Sequence, residues 1–274
     1  MAVYYRVFLK VQVLWGDGVV LQTEGKTFDT GAAANLLTWS QIAGRNAKGR
    51  GVSVALVDSG INARHSHVGA VSGGVAVGLE EGRLVWNADF RDTLGHGTAI
   101  AGIIRTKTPA VNLYGVRIFQ RSLNTYPTVV AAAVKWAADK GIAIINLSLG
   151  TANSRYAPIL QEACEYAADR GSIIIAAAGS AAFPGWPAAL NCVIGVQAGT
   201  GCGWNDYSFH PGSLVEFTAH GFPRSLAGRP QILNLRGNSF ATGHLTALAA
   251  CLLEKHPGMD VEGLRRLLQE IWLR

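Results

Sequence analysis

The sequence predicts an α/β protein: a mostly parallel central sheet with helices on both faces, preceded by an N-terminal β-hairpin extension. Three observations carry this reading. Short β-branched runs alternate with stretches of helical length, the pattern of βαβ units. The runs are apolar without strict alternation, as in strands covered on both faces. Apolar residues make up 49% of the 274 positions and charged residues 15%, enough for one large buried core.

The elements follow in order. Residues 3–23 alternate between apolar and polar around "WGDGVV", and Asp17-Gly18 is a turn signal, so this stretch predicts a β-hairpin. "TGAAAN" then resembles a linker, which makes residues 1–35 an extension and 36–274 the main domain. Strands are predicted at 52–58, 112–119, 142–149, 172–179 and 192–198, with helices at 97–105, 127–140, 155–170, 239–255 and 260–273.

Composition excludes several functions. The net charge is +6 and the pI about 9.3, but arginines are scattered singly with no basic run or interleaved aromatic stripe, which argues against nucleic acid. No stretch offers the ~20 apolar residues of a membrane span. The N-terminus lacks a basic segment followed by an apolar run and a cleavage site, so a cytoplasmic location is expected. Cys164, Cys192, Cys202 and Cys251 form no CxxC and are expected to be free thiols.

In open parallel sheets, ligands sit beyond the carboxyl ends of the strands. "VSVALVD" ends there in Asp58, and two predicted helices open on a reactive residue beside glycine, His96 in "GHGTAIAGII" and Ser239 in "GNSFATGHLTALAA". Each has an ordinary reading: Asp58 a turn residue, His96 a helix-end histidine, Ser239 a helix cap. Together they are the parts of an activated nucleophile. A serine hydroxyl needs a base to take its proton, neutral imidazole serves near pH 7, and a carboxylate fixes the imidazole tautomer. The chain order Asp, His, Ser is one in which this geometry occurs.

"VALVDSGIN", "LGHGTAIAGII" and "GNSFATGHLTALAA" resemble the three signature segments of the subtilisin-like serine peptidases, and the resemblance runs from about Leu36 to the C-terminus. It implies Asp58 as orienting acid, His96 as general base and acid, and Ser239 as nucleophile. It implies that Ser148, Leu149 and Gly150 pair with an extended peptide and line its specificity pocket. Ser122, Leu123 and Asn124, within "RSLNT", would form the opposing edge, and Ala177, Ala178 and Gly179 another pocket wall.

Several positions depart from the family pattern. Ser180 stands where the family carries the asparagine that donates to the oxyanion, and Asn238 stands where it carries threonine. The paired change suggests that the Asn238 amide replaces the missing donor beside the Ser180 hydroxyl. Gly243 stands in a proline position, read as a tolerated change in helix geometry. The helix after His96 has no acidic loop inserted, and "ARHSHVG" offers no acidic ligand, so no metal or cofactor is expected. Trp186 in the short "FPGWPAAL" could wall a pocket or merely pack.

The resemblance points to a serine endopeptidase acting on a specific peptide or precursor held in extended form. The same acyl-enzyme meeting an amine instead of water would make a peptide ligase or macrocyclase. A weakly catalytic peptide-binding relative is the third possibility, favoured by Ser180. The extension is expected to dock on the core or on a partner.

Overall fold

The computed structural model describes residues 19–20, 46–179, 183–225, 227–228, 230 and 233–273. Apart from Val19 and Val20, the expected hairpin of residues 3–23 lies outside them, as does Ser180. The elements in chain order are β1 (Val19–Val20), β2 (Ser53–Asp58), β3 (Gly73–Glu80), β4 (Arg83–Asn87), α1 (His96–Lys107), β5 (Asn112–Arg117), β6 (Asn124–Thr125), α2 (Pro127–Asp139) and β7 (Ile144–Leu147). After a 3-10 turn at Ser154–Tyr156 come α3 (Ala157–Ala168), β8 (Ile173–Ala177), β9 (Val193–Gly199), β10 (Tyr207–Phe209), β11 (Phe217–His220), α4 (Asn238–Lys255) and α5 (Val261–Trp272).

Nine strands form one sheet in the order β10-β11-β9-β8-β7-β2-β5-β3-β4. Every pairing from β11 to β3 is parallel; only the outermost pairs, β10–β11 and β3–β4, are antiparallel. The sheet is thus mostly parallel, as expected. The five expected strands and five expected helices all form. The four strands nearest the two edges, β3, β4, β10 and β11, were not expected. All five residues of β4 are exposed, and β10 and β11 span only 3 and 4 residues, so neither edge shows the continuous apolar run of a covered strand.

Side chains of β2 alternate between two cores. Val54 and Leu56 pack with residues of α1, α4 and α5 on one face, and Ala55 and Val57 with residues of α2 and α3 on the other. Helix α4 passes through the first core, and every residue from Asn238 to Leu253 is buried. That explains its even, all-round apolar and small-residue composition. In the amphipathic α5, only Leu264 and Leu268 are buried.

Beside the main sheet, β1 and β6 make a two-stranded antiparallel pair, with Val19 opposite Thr125 and Val20 opposite Asn124. The segment before the main domain therefore reaches the edge formed by "RSLNT".

Candidate active site

Strand β2 ends in Asp58, which is fully buried. Helix α1 begins at His96, and the two side chains meet: His96 Nδ1 lies 2.8 Å from Asp58 Oδ1 and 2.9 Å from Oδ2. The flanking glycines make this contact possible. A Cβ on Gly97 would stand 2.2 Å from the Gly60 carbonyl oxygen and 3.2 Å from Asp58 Oδ1, and one on Gly60 would stand 2.4 Å from the Phe90 carbonyl oxygen. "DSG" and "GHG" are thus two backbones in contact, and a side chain at Gly97 would push against the Gly60 carbonyl and the Asp58 carboxylate.

A second carboxylate holds the junction. Asp92 Oδ1 accepts from Ser59 Oγ at 2.9 Å and from the Leu94 and Gly95 N–H groups at 2.8 Å each; Oδ2 accepts from the Thr98 N–H at 2.9 Å and its hydroxyl at 2.6 Å. Ser59 Oγ in turn accepts from the Gly97 N–H, and Thr98 Oγ1 from the Asn62 N–H. Asp92 therefore ties the start of α1 to the segment leaving β2. Sequence reasoning missed this residue: it stands three positions before the N-cap Gly95, outside the position where a capping side chain is expected.

Burial alone would lower the pKa of His96. The charge and hydrogen bond of Asp58, with the charge of Asp92, outweigh it and raise the pKa above the ordinary value. The far nitrogen, Nε2, is buried and has no hydrogen-bond partner among the described residues. A buried, oriented imidazole with one nitrogen on a carboxylate and the other unengaged is poised to take a proton from a group placed before it.

Ser239 lies in the first turn of α4. It does not cap the helix: the N-cap is Gly237, which makes no side-chain cap bond. The Ser239 hydroxyl is buried and donates to the Ser148 carbonyl oxygen at 3.2 Å. The neighbouring Phe240 ring lies 5.3 Å from the His96 ring, which puts the start of α4 beside the start of α1. The two helices cross closely at Gly243, where a Cβ would stand 2.9 Å from Ile100 Cγ2. The glycine in the proline position thus fits this crossing.

The expected oxyanion role of Asn238 is corrected. Its Nδ2 donates to the carbonyl oxygens of Ala178 at 3.0 Å and Gly179 at 2.7 Å, and its Oδ1 accepts from the Ala198 N–H at 2.8 Å. Both amide hydrogens are used, so the side chain ties α4 to the ends of β8 and β9 instead of facing a reacting carbonyl. The paired change in the sequence suggested compensation because it gave no geometry.

Among the other expected site residues, Ser148, Leu149 and Gly150 follow β7, and Ala177, Ala178 and Gly179 close β8, side by side because β7 and β8 pair in parallel. The Ser148 hydroxyl donates to Asn146 Oδ1, and Asn146 Nδ2 donates to Thr246 Oγ1, linking β7 to α4. Ser122 and Asn124 are exposed and Leu123 is half-buried around β6.

A mostly parallel sheet with helices on both faces, an Asp–His pair beyond one strand and a serine at the start of a buried helix fit the serine-peptidase class of α/β proteins. The profile of the Subtilase family matches residues 49–270, and the chain belongs to that family. It is 31% identical over 246 residues to thermitase of Thermoactinomyces vulgaris, covering 81% of each chain. It is 28% identical over 250 residues to subtilisin DY of Bacillus licheniformis, covering 85% of this chain and 88% of that one. The crystal structure of a cold-adapted subtilisin-like serine proteinase aligns with a TM-score of 0.65 at 25% identity, covering 91% of this chain and 88% of the other.

Proposed function

We propose that the chain is a serine endopeptidase in which Ser239 attacks the scissile carbonyl. His96 Nε2 takes the hydroxyl proton and passes it to the leaving amine, and water then releases the acyl group. Asp58 holds the imidazole with Nδ1 protonated and stabilises the imidazolium that forms. The observation that carries this reading is the buried Asp58–His96 pair, whose second nitrogen is unengaged. For the reaction, the Ser239 hydroxyl turns from the Ser148 carbonyl to His96. Its own backbone N–H, at the positive end of α4, is the proposed oxyanion donor from the described residues.

The substrate is proposed to lie extended between Ser148–Gly150 and the Leu123–Asn124 edge, adding main-chain hydrogen bonds as a strand does. On this reading the pairing of β1 with β6 means that the N-terminal extension occupies part of the substrate edge and selects for a peptide that can displace it. All four cysteines are free, which fits a reducing compartment such as the cytoplasm.

Labelling with a fluorophosphonate tests the proposal. The folded chain is expected to react at Ser239, and Ser239→Ala and His96→Ala variants are expected to be silent. A folded wild type that never labels would reject it.

A further inference from the structure

We infer that the substrate is an acidic polypeptide, drawn to the candidate site by a rim of exposed arginines that have no counter-charge of their own. The inference rests on the serine-peptidase reading above and deepens it to a substrate class.

Five segments border the candidate catalytic side chains. Residues 59–72 leave Asp58, and 118–126 carry the β6 edge. Residues 148–156 begin at the carbonyl that holds the Ser239 hydroxyl, and 178–192 begin at a carbonyl bonded by Asn238. Residues 221–237 lead into α4 and Ser239. The chain has 18 acidic residues, and none falls in any of these segments. Their fixed charges are all arginines. Arg64, Arg121, Arg155, Arg224 and Arg236 are exposed, and among the described residues none of the five makes an ion pair.

The acids of the neighbouring loops are already engaged. Asp92 accepts its five bonds at the start of α1, Asp89 is paired with Arg91 at 2.7 Å, and Asp206 lies beside Lys107. Glu80 stands opposite Arg83 in the outermost hairpin. Two of the arginine-bearing segments also face each other. Desolvation first, then the charge of Arg224 and that of His65, lower the pKa of His67, and the His65 and His67 rings lie 4.9 Å apart, edge to face. A cation entering between residues 59–72 and 221–237 therefore meets repulsion from both.

Unpaired like charges at one end of a sheet add nothing to its core. They do focus a positive potential into the cleft between them, which reaches about 8 Å at physiological ionic strength. A guanidinium grips a carboxylate with two parallel hydrogen bonds. An extended peptide sends its side chains alternately to both sides, so acids along it can meet arginines on facing segments. The arginines surround the site that the proposed reaction uses and form no continuous basic run, which favours a carboxylate-bearing peptide over a nucleic acid.

The test uses the full chain and an uncharged fluorophosphonate label. The competitors are polyglutamate, polylysine of equal length and a single-stranded DNA oligonucleotide. Polyglutamate is expected to slow labelling of Ser239 at concentrations at least roughly tenfold below those of polylysine. That advantage should fade as NaCl is raised from about 0.1 to about 1 M, where the Debye length falls to about 3 Å. The triple variant Arg64→Ser/Arg224→Ser/Arg236→Ser should bring the two polymers toward equal potency. The ratio is taken within each protein, so a change in labelling rate cancels. Arg121→Ser/Arg155→Ser gives a second reading should the triple variant fail to fold. Equal or better protection by polylysine overturns the inference, as does a preference that neither salt nor the variants reduce. Protection by DNA at lower concentrations than polyglutamate overturns it in favour of a nucleic acid. Absence of labelling overturns the serine-peptidase reading itself, a separate outcome.

Discussion

Replacing Asp92 with asparagine removes one charge and one acceptor atom from a carboxylate that accepts five hydrogen bonds. Three donors converge on Oδ1 and two on Oδ2, so an amide cannot serve both sets. With its oxygen kept toward Ser59, Leu94 and Gly95, its NH2 faces the Thr98 N–H, which loses its acceptor. Hydrogen bonds to charged groups contribute ~1.5–3 kcal/mol, and a buried donor left unmet costs ~1–3 kcal/mol. Asp92 is only half-buried, so we expect a destabilisation of about 2–4 kcal/mol, or roughly 5–15 °C in Tm for a chain of this size.

The effect on chemistry separates positioning from bulk stability. Asp92 contributes to the raised pKa of His96, and a base works only when neutral. The acid limb of the labelling rate is therefore expected above the ordinary histidine value in the wild type and at lower pH in Asp92→Asn. The plateau rate falls at the same time, by about 10–100-fold, because α1 is no longer tied to the segment leaving β2 and the imidazole loses its alignment. The assay is the fluorophosphonate labelling rate against pH, measured well below the melting temperature of each protein. A folded variant that labels at the wild-type rate with an unmoved acid limb refutes the argument. The stability linkage has the opposite sense: a raised His96 pKa stabilises the fold fully below the unfolded value and ceases to do so as pH rises through the folded one.

Three further outcomes are expected. Asn238→Ala removes three hydrogen bonds between α4 and the ends of β8 and β9, and should lower stability by about 2–4 kcal/mol in denaturant melts; a loss of kcat at unchanged stability would restore the oxyanion role corrected above. Lys107 is largely buried, and desolvation lowers its pKa to about 7, only partly opposed by Cys251 and Asp206. The wild type should therefore gain stability relative to Lys107→Met as pH rises from about 7 toward 10.5, where the unfolded chain still holds the proton and the folded one does not; parallel stability curves for the two proteins would contradict this. Deleting residues 1–35 removes β1 from the β6 edge and should lower KM for short peptides with little change in kcat; an unchanged or higher KM would show that β1 does not compete with substrate.

What was legible in the sequence follows from where backbones touch. Asp58 and His96 could be read because the close approach of their segments demands glycine at position 97, and the approach of Phe90 demands it at position 60, and a glycine beside a reactive residue survives as a visible motif. The covered strands could be read because burial on both faces leaves an uninterrupted apolar run. Strand β4 could not, since all five residues are exposed and its pairing with β3 leaves no such run. Asn238 was misread for a related reason. An amide beside a nucleophile looks the same in one dimension whether it faces the substrate or the scaffold, and only the positions of the Ala178, Gly179 and Ala198 backbone groups decide. A close approach that demands glycine beside a reactive residue is therefore readable, whereas the partner of a side chain that bonds a distant backbone, as Asn238 does, is not.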